Sequence, residues 1–158
     1  MARGLLSKNL TLGAVAALLF LVSVPRVHQL AVLDNQRDAQ SAVKAIADAA
    51  FQGDSSDQPC PQALSDALSE KLRDVRFHEH FGLIQRHGYY FEVSQSSNGQ
   101  ELVRAWPVDH GETGVFAYVM GADATLRSHR NAEAAWSGNS SERPTGDERG
   151  WFDPKAAN

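Results

Sequence analysis

The sequence predicts an α+β fold in which one long N-terminal helix, transmembrane in its first half and amphipathic in its second, packs on a four-stranded antiparallel sheet. Three observations carry this expectation. Residues 10–24 are apolar and carry no charge, softened only by Thr11, Gly13 and Ser23. Beyond Pro25, the apolar positions Val32, Ala39, Val43, Ile46 and Ala50 follow at spacings of seven, four, three and four, the stripe of a helix with one buried face. From Tyr89 the period falls to two, the mark of half-buried strands.

The N-terminal segment is the first element. A bilayer core about 30 Å thick takes about 20 helical residues, and Leu5 and Leu6 extend the apolar run if Lys8 snorkels to the surface. Residues 1–9 read as a basic cytoplasmic leader and residues 10–25 as a transmembrane anchor, with Val15, Leu18, Leu19, Leu21 and Val22 facing lipid or neighbouring helices. A cleaved signal peptide shares the basic start and apolar middle. However, Val24-Pro25 is a poor cleavage context, and the next small residue is Ala31, so a retained anchor is the preferred reading. Arg3 and Lys8 place the N-terminus in the cytoplasm, and the body then faces the periplasm or the exterior.

The second element continues the helix. Proline inside a helix removes one backbone hydrogen bond and bends the axis, so residues 10–52 can form one bent helix of about 65 Å. Ala42, Ala45, Ala47 and Ala49 favour helix. Asp34, Arg37, Asp38, Lys44 and Asp48 cover its wet side, and Val32, Ala39, Val43 and Ile46 should seat it on the sheet. Gly53 ends it.

Residues 53–61 read as a loop, and Leu64, Ala67, Leu68 and Leu72 as a short helix after it. Four strands are expected next, near residues 89–94, 101–108, 115–120 and 125–130. The turns between them lie at Ser96-Ser97-Asn98-Gly99, at residues 109–114 and at Gly121-Ala122-Asp123-Ala124. Short links make neighbouring strands antiparallel. The helix-plus-sheet domain thus spans residues 26–136. Residues 137–158, rich in Gly, Ser, Asn, Glu and Arg, read as a loose tail on which Trp151 and Phe152 can still dock.

Charge narrows the function classes. The chain of 158 residues has net charge −4, yet no acid precedes Asp34. Beyond that head, 12 cations face 19 acids, a net −7. Such an acidic body argues against nucleic acid, which needs clustered Lys and Arg. Cys60 is the single cysteine, so no disulfide forms within the chain.

The stretches "VSVPRVHQLAVLDNQRDAQSAVKAIADA" and "GYYFEV…LVRAWPVDHGETGVFAYVMGADATLRS", in that order, resemble the type IV pilin and type II secretion pseudopilin group. The resemblance implies an anchor helix on a four-stranded sheet, a bacterial inner-membrane location and other pilin-like subunits, or itself, as partners. It also implies processing after a glycine. Gly4 followed by Leu5 offers such a site, and Pro25 is then the twenty-first mature residue. The fifth is Asn9, where pilins carry glutamate.

Chemistry is weighed against plainer readings. His78-Glu79-His80 puts both histidines on one face of a strand, and His87 and His110 are further donors, but the spacing is not that of a helical zinc motif. Asp147, Glu148 and Asp153 would bind calcium in some pseudopilins, yet no EF-hand pattern surrounds them. Asp109 and His110 with Ser94 or Ser128 supply triad residue types without a nucleophile elbow. Tyr89, Tyr90, Phe91 and Trp106 at strand spacing pack a sheet more readily than they make a binding platform. No cofactor and no enzyme activity are expected. The leading expectation is a membrane-anchored structural subunit of a secretion or surface-filament system, acting by helix-mediated assembly. The second is a monomeric, membrane-tethered extracytoplasmic binding module.

Overall fold

A computed structural model describes residues 3–51, 72–78, 82–95, 99–139 and 142–154, with side chains from Pro25 onward. Its one helix among these residues, α1, spans Arg3–Phe51, 49 residues with Pro25 inside. The proline is tolerated at the loss of one backbone hydrogen bond. By its contacts the chain forms two units, residues 1–31 and 32–158.

In the first unit, every described side chain, residues 25–31, is exposed. Among the described residues, no helix is long and apolar enough to cross a membrane. The expected anchor side chains Val15, Leu18, Leu19, Leu21 and Val22, and the expected processing pair Gly4-Leu5, lie outside the residues whose side chains are described.

In the second unit, among the described residues, seven strands form one antiparallel sheet in sequence order. They are β1 (Arg76–His78), β2 (Leu83–Arg86), β3 (Tyr89–Gln95), β4 (Glu101–Pro107), β5 (Phe116–Gly121), β6 (Leu126–Arg130) and β7 (Trp151–Phe152). The expected four strands correspond to β3–β6; the count of four is corrected to seven. The three extra strands are two to four residues long, and β1 and β2 mix Arg, His and Gln with apolar residues. Neither shows the long alternation that betrays a strand in sequence. The tail expectation is corrected too, since residues 142–154 carry β7 and several side-chain ties. The expected short helix falls on residues outside those described, apart from Leu72, which packs against the core.

Register explains the core. Tyr89 lies opposite Pro107, Phe91 opposite Ala105 and Val93 opposite Val103, while Val103 pairs with Met120 and Ala105 with Tyr118. These residues share one face by the two-residue alternation of strands. That face shares one hydrophobic cluster with Ala39, Ala42, Val43, Ile46, Ala47 and Ala50 of α1. Val43 and Ile46 are both 0% exposed, and burying such side chains stabilises by about 1.5–3 kcal/mol each. Val32 is only half-buried and stands outside this cluster.

The opposite face carries a second cluster of Leu83, Trp106, Ala117 and Trp136, with Tyr90 and Trp151 against it. Residues 131–139 and 142–151 supply cover for it. Asn131 Nδ2 donates to the Trp136 carbonyl at 2.6 Å, and the Trp136 backbone N–H donates back to Asn131 Oδ1 at 3.2 Å. Trp106 Nε1 donates to the Gly138 carbonyl at 2.8 Å. The Trp136 and Trp151 rings stack at 5.9 Å.

Candidate functional site

Three regions carry enough chemistry to be weighed: a polar clamp between α1 and the β2–β3 hairpin, the charged part of the covered sheet face, and the exposed helical turns after Pro25.

The clamp centres on Arg86. Its Nε and Nη2 donate to the two carboxylate oxygens of Asp38 at 2.8 and 2.7 Å, a bidentate pair joining sheet to helix. Its Nη1 donates to the Arg73 carbonyl at 2.8 Å. His87 Nδ1 lies 3.1 Å from Asp38 Oδ2, and His87 Nε2 lies 3.9 Å from Asp74. Two residues link β2 to β3, His87 at φ +41° and Gly88 at φ +78°. A two-residue hairpin with both φ positive normally takes Asn-Gly; here His fills the first position, and Asp38 holds its ring. Burial alone would raise the Asp38 carboxyl. Hydrogen bonds and charge from Arg86, with His87 beside it, outweigh that and hold it below its usual range.

A stability prediction follows with a definite sign. A carboxyl depressed in the folded state contributes stability above its unfolded pKa, and the contribution disappears as pH falls through the folded value. Asp38→Asn should therefore cost about 2 kcal/mol at neutral pH. It should cost clearly less at pH 3, below the ordinary carboxylate range. Urea titrations of the two proteins at both pH values measure this, and an equal cost at both would refute the clamp.

Among the described residues, those singled out for chemistry are not brought together. His78 Nε2 and Gln85 Oε1 are 2.7 Å apart, and the His78 ring meets Tyr90 edge-on at 5.8 Å; Glu79 and His80 lie outside the described residues. Among the described residues, no group of three or more His, Cys, Asp or Glu is arranged to hold a metal. Asp147 and Asp153 are exposed. Glu148 instead accepts from the backbone N–H groups of Thr145 and Gly146 and from Trp151 Nε1, at 2.8, 2.9 and 3.0 Å. Burial pushes its carboxyl up, but hydrogen bonds from the Thr145 and Glu148 backbone, from Trp151 and from the Thr145 side chain bring it net below its ordinary value.

The triad types are equally dispersed. Ser94 sits on β3 and Ser128 on β6, with β4 and β5 between them. By register they point to opposite faces of the sheet. The His110 backbone N–H donates to Ser137 Oγ at 3.0 Å, and Asp109 and Thr113 close their own turn. The aromatic platform divides as strand alternation requires: Tyr89 and Phe91 lie in the cluster with α1, Tyr90 and Trp106 in the other.

On the covered face, Glu92 lies 3.7 Å from Arg104 Nη1 and 3.9 Å from Arg143 Nε. The Arg143 guanidinium stands 4.7 Å from the centre of the Trp106 ring. This arrangement ties Arg143 to the sheet.

The exposed turns differ in character. The large hydrophobic residues that stand exposed among the described residues are Val27 and Leu30, each 65% accessible, and Leu33 at 49%. Elsewhere among the described residues, large apolar side chains find cover, so these three are the exposed large apolar side chains of α1 there.

Sequence reasoning missed Asp38, Arg86, His87 and Asp74 as a group. Asp38 and Arg86 are 48 positions apart, and the one local signal was His87-Gly88 standing where a tight hairpin wants Asn-Gly. Compared with protein-family models, curated proteins and solved structures, the chain matches none.

Proposed function

We propose that this chain is a membrane-anchored structural subunit that works by assembly through its N-terminal helix, in the manner of pilin-like and pseudopilin proteins of secretion or surface-filament systems. It performs no chemistry of its own. The observation that carries this reading is the division of α1. The helix residues Ala39, Val43 and Ile46 are fully buried in a cluster with the sheet, while Val27 and Leu30 stand exposed nearer its start. A helix that only closed a globular core would have no use for those two residues, nor for the charge-free apolar run of residues 10–24 before them. In this reading residues 10–25 cross the bacterial inner membrane with the N-terminus in the cytoplasm, and the sheet lies on the far side.

Cysteine crosslinking tests it. In a Cys60→Ser background, Leu18→Cys and Val22→Cys are placed singly in the apolar run and oxidised in native membranes. Side-by-side packing of anchors should join two copies of the chain through a disulfide at these positions. Recovery of monomer alone would remove assembly and leave the second reading, a tethered extracytoplasmic binding module.

A further inference from the structure

We infer that residues 25–31 form a collar that rests on the lipid headgroup surface, with Val27 and Leu30 entering the boundary of the acyl chains and Arg26 meeting lipid phosphate. The inference builds on the anchored reading and adds what α1 touches where it leaves the bilayer.

Three features of this stretch agree. Its residues are exposed throughout, and Val27 and Leu30, one turn apart, are the most exposed large apolar side chains among the described residues. Its charge suits an anionic surface, because Arg26 is exposed and no acid occurs before Asp34. Apolar residues interleaved with a cation and without acids are the composition of a helix at a membrane interface, where apolar side chains reach a few ångströms below the headgroups.

The proline fits the same depth. Pro25 has no N–H, so the carbonyl four residues before it lacks its helical donor. Deep in hydrocarbon that carbonyl would find no substitute; near the headgroups water supplies one. The headgroup layer is about 5–8 Å deep on each side of the hydrocarbon, and seven helical residues rise about 10 Å. Residues 25–31 thus pass through the layer between the apolar run and the acidic body. Asp34, the first acid, then falls on the aqueous side.

The test uses the full-length chain in phosphatidylcholine vesicles with and without phosphatidylglycerol. Single cysteines at Leu18, Val27, Leu30 and Ser41, in the Cys60→Ser background, carry a small fluorophore. Lipids bearing a quencher at the headgroup or deep in the acyl chain report depth. Labels at Val27 and Leu30 should be quenched from the headgroup level several-fold more than the label at Ser41. Phosphatidylglycerol should strengthen that quenching, and Arg26→Gln should remove the gain.

Deep quenching at Leu18 with no difference between Leu30 and Ser41 would overturn the collar while leaving the anchor intact. So would shielding of Leu30 that grows with protein density and ignores lipid composition, which is the behaviour of a second copy covering the helix. A Leu18 label untouched by either quencher would overturn the anchored reading itself, and the collar with it.

Discussion

Val43→Asp should unfold much of the body. Val43 is 0% exposed and sits in the cluster that unites α1 with β2, β3, β4, β5 and β6. A carboxylate there enters a hydrophobic cluster that includes Tyr89, Phe91, Val103 and Ala105 of the sheet. A buried charge without a partner either stays ionised at high cost or takes up a proton, and both routes favour the unfolded chain. The expected loss is about 3–5 kcal/mol, a large share of the roughly 5–15 kcal/mol that holds a typical domain together. Two companions separate charge burial from generic damage to the helix. Ser41→Asp adds the same charge two residues away on the exposed side and should change stability by no more than about 0.5 kcal/mol. Val43→Thr keeps the shape and buries one hydroxyl, for about 1–3 kcal/mol. Denaturant unfolding of the full-length proteins in detergent, followed by tryptophan fluorescence from Trp106 and Trp136, gives the three values. If Val43→Asp unfolds at the same denaturant concentration as Ser41→Asp, the helix is not seated on the sheet.

The seat of the helix was legible because an apolar stripe at helical period is what a helix with one covered face must show. Ala39, Val43 and Ile46 announce that face by their spacing, and all three are buried. The central strands were legible for the same reason at period two. Each of β3, β4 and β5 runs six or seven residues, long enough for alternation to stand out. Strands β1, β2 and β7 are stabilised by where they lie, not by their own pattern. Gln85, for instance, becomes a strand residue by pairing with Arg76 on one side and Tyr90 on the other, and a strand of four residues is too short for alternation to show in the sequence.

The cover of the second face was hidden for a different reason. Residues 131–139 and 142–151 are tied down in part through backbone carbonyls, as at Gly138, Trp136, Gly146 and Arg149, each accepting a side-chain hydrogen bond. Every residue type offers a carbonyl, so no composition marks the ones that will be used. A polar stretch then reads as loose although it is pinned. The clamp of Asp38, Arg86 and His87 was invisible on the same principle, because ordinary surface residues acquire their role only when the hairpin meets the helix. Val27 and Leu30, which the apolar stripe of α1 does not include, stand uncovered among the described residues, and their spacing alone did not single them out.

Gly114→Ala should be the most damaging single methyl group in the described chain. Gly114 is buried at the end of the turn between β4 and β5, and its backbone is in a region open to any residue. The harm is therefore one of space. A Cβ at this position would overlap the Tyr89 hydroxyl and come within 2.7 Å of ring carbon Cε2. Neither side can yield easily. Tyr89 is 0% exposed, its hydroxyl donates to the Phe116 carbonyl at 3.1 Å, and its ring lies between those of Phe91 and Tyr118 at 6.5 and 5.9 Å. The turn is held by Gly111 N–H donating to the Gly114 carbonyl at 2.8 Å and by Asn35 Nδ2 of α1 donating to the Thr113 carbonyl at 3.1 Å. Overpacking plus the lost Tyr89 hydrogen bond should cost about 3 kcal/mol. Tyr89→Phe removes the overlapping oxygen but leaves ring carbons Cζ and Cε2 at 2.5 and 2.7 Å, so in the Gly114→Ala background it should recover part of the lost stability, although alone it costs about 1 kcal/mol. The sign reversal is a coupling between two residues in contact, which a double-mutant cycle measures directly. Gly111→Ala is the control in the same turn. Its Cβ meets nothing within 4 Å, but its φ of +87° strains any L-residue, for about 1 kcal/mol. Equal melting of the Gly111 and Gly114 variants, or a Tyr89→Phe change that deepens the Gly114→Ala defect, would show that the turn does not press on Tyr89.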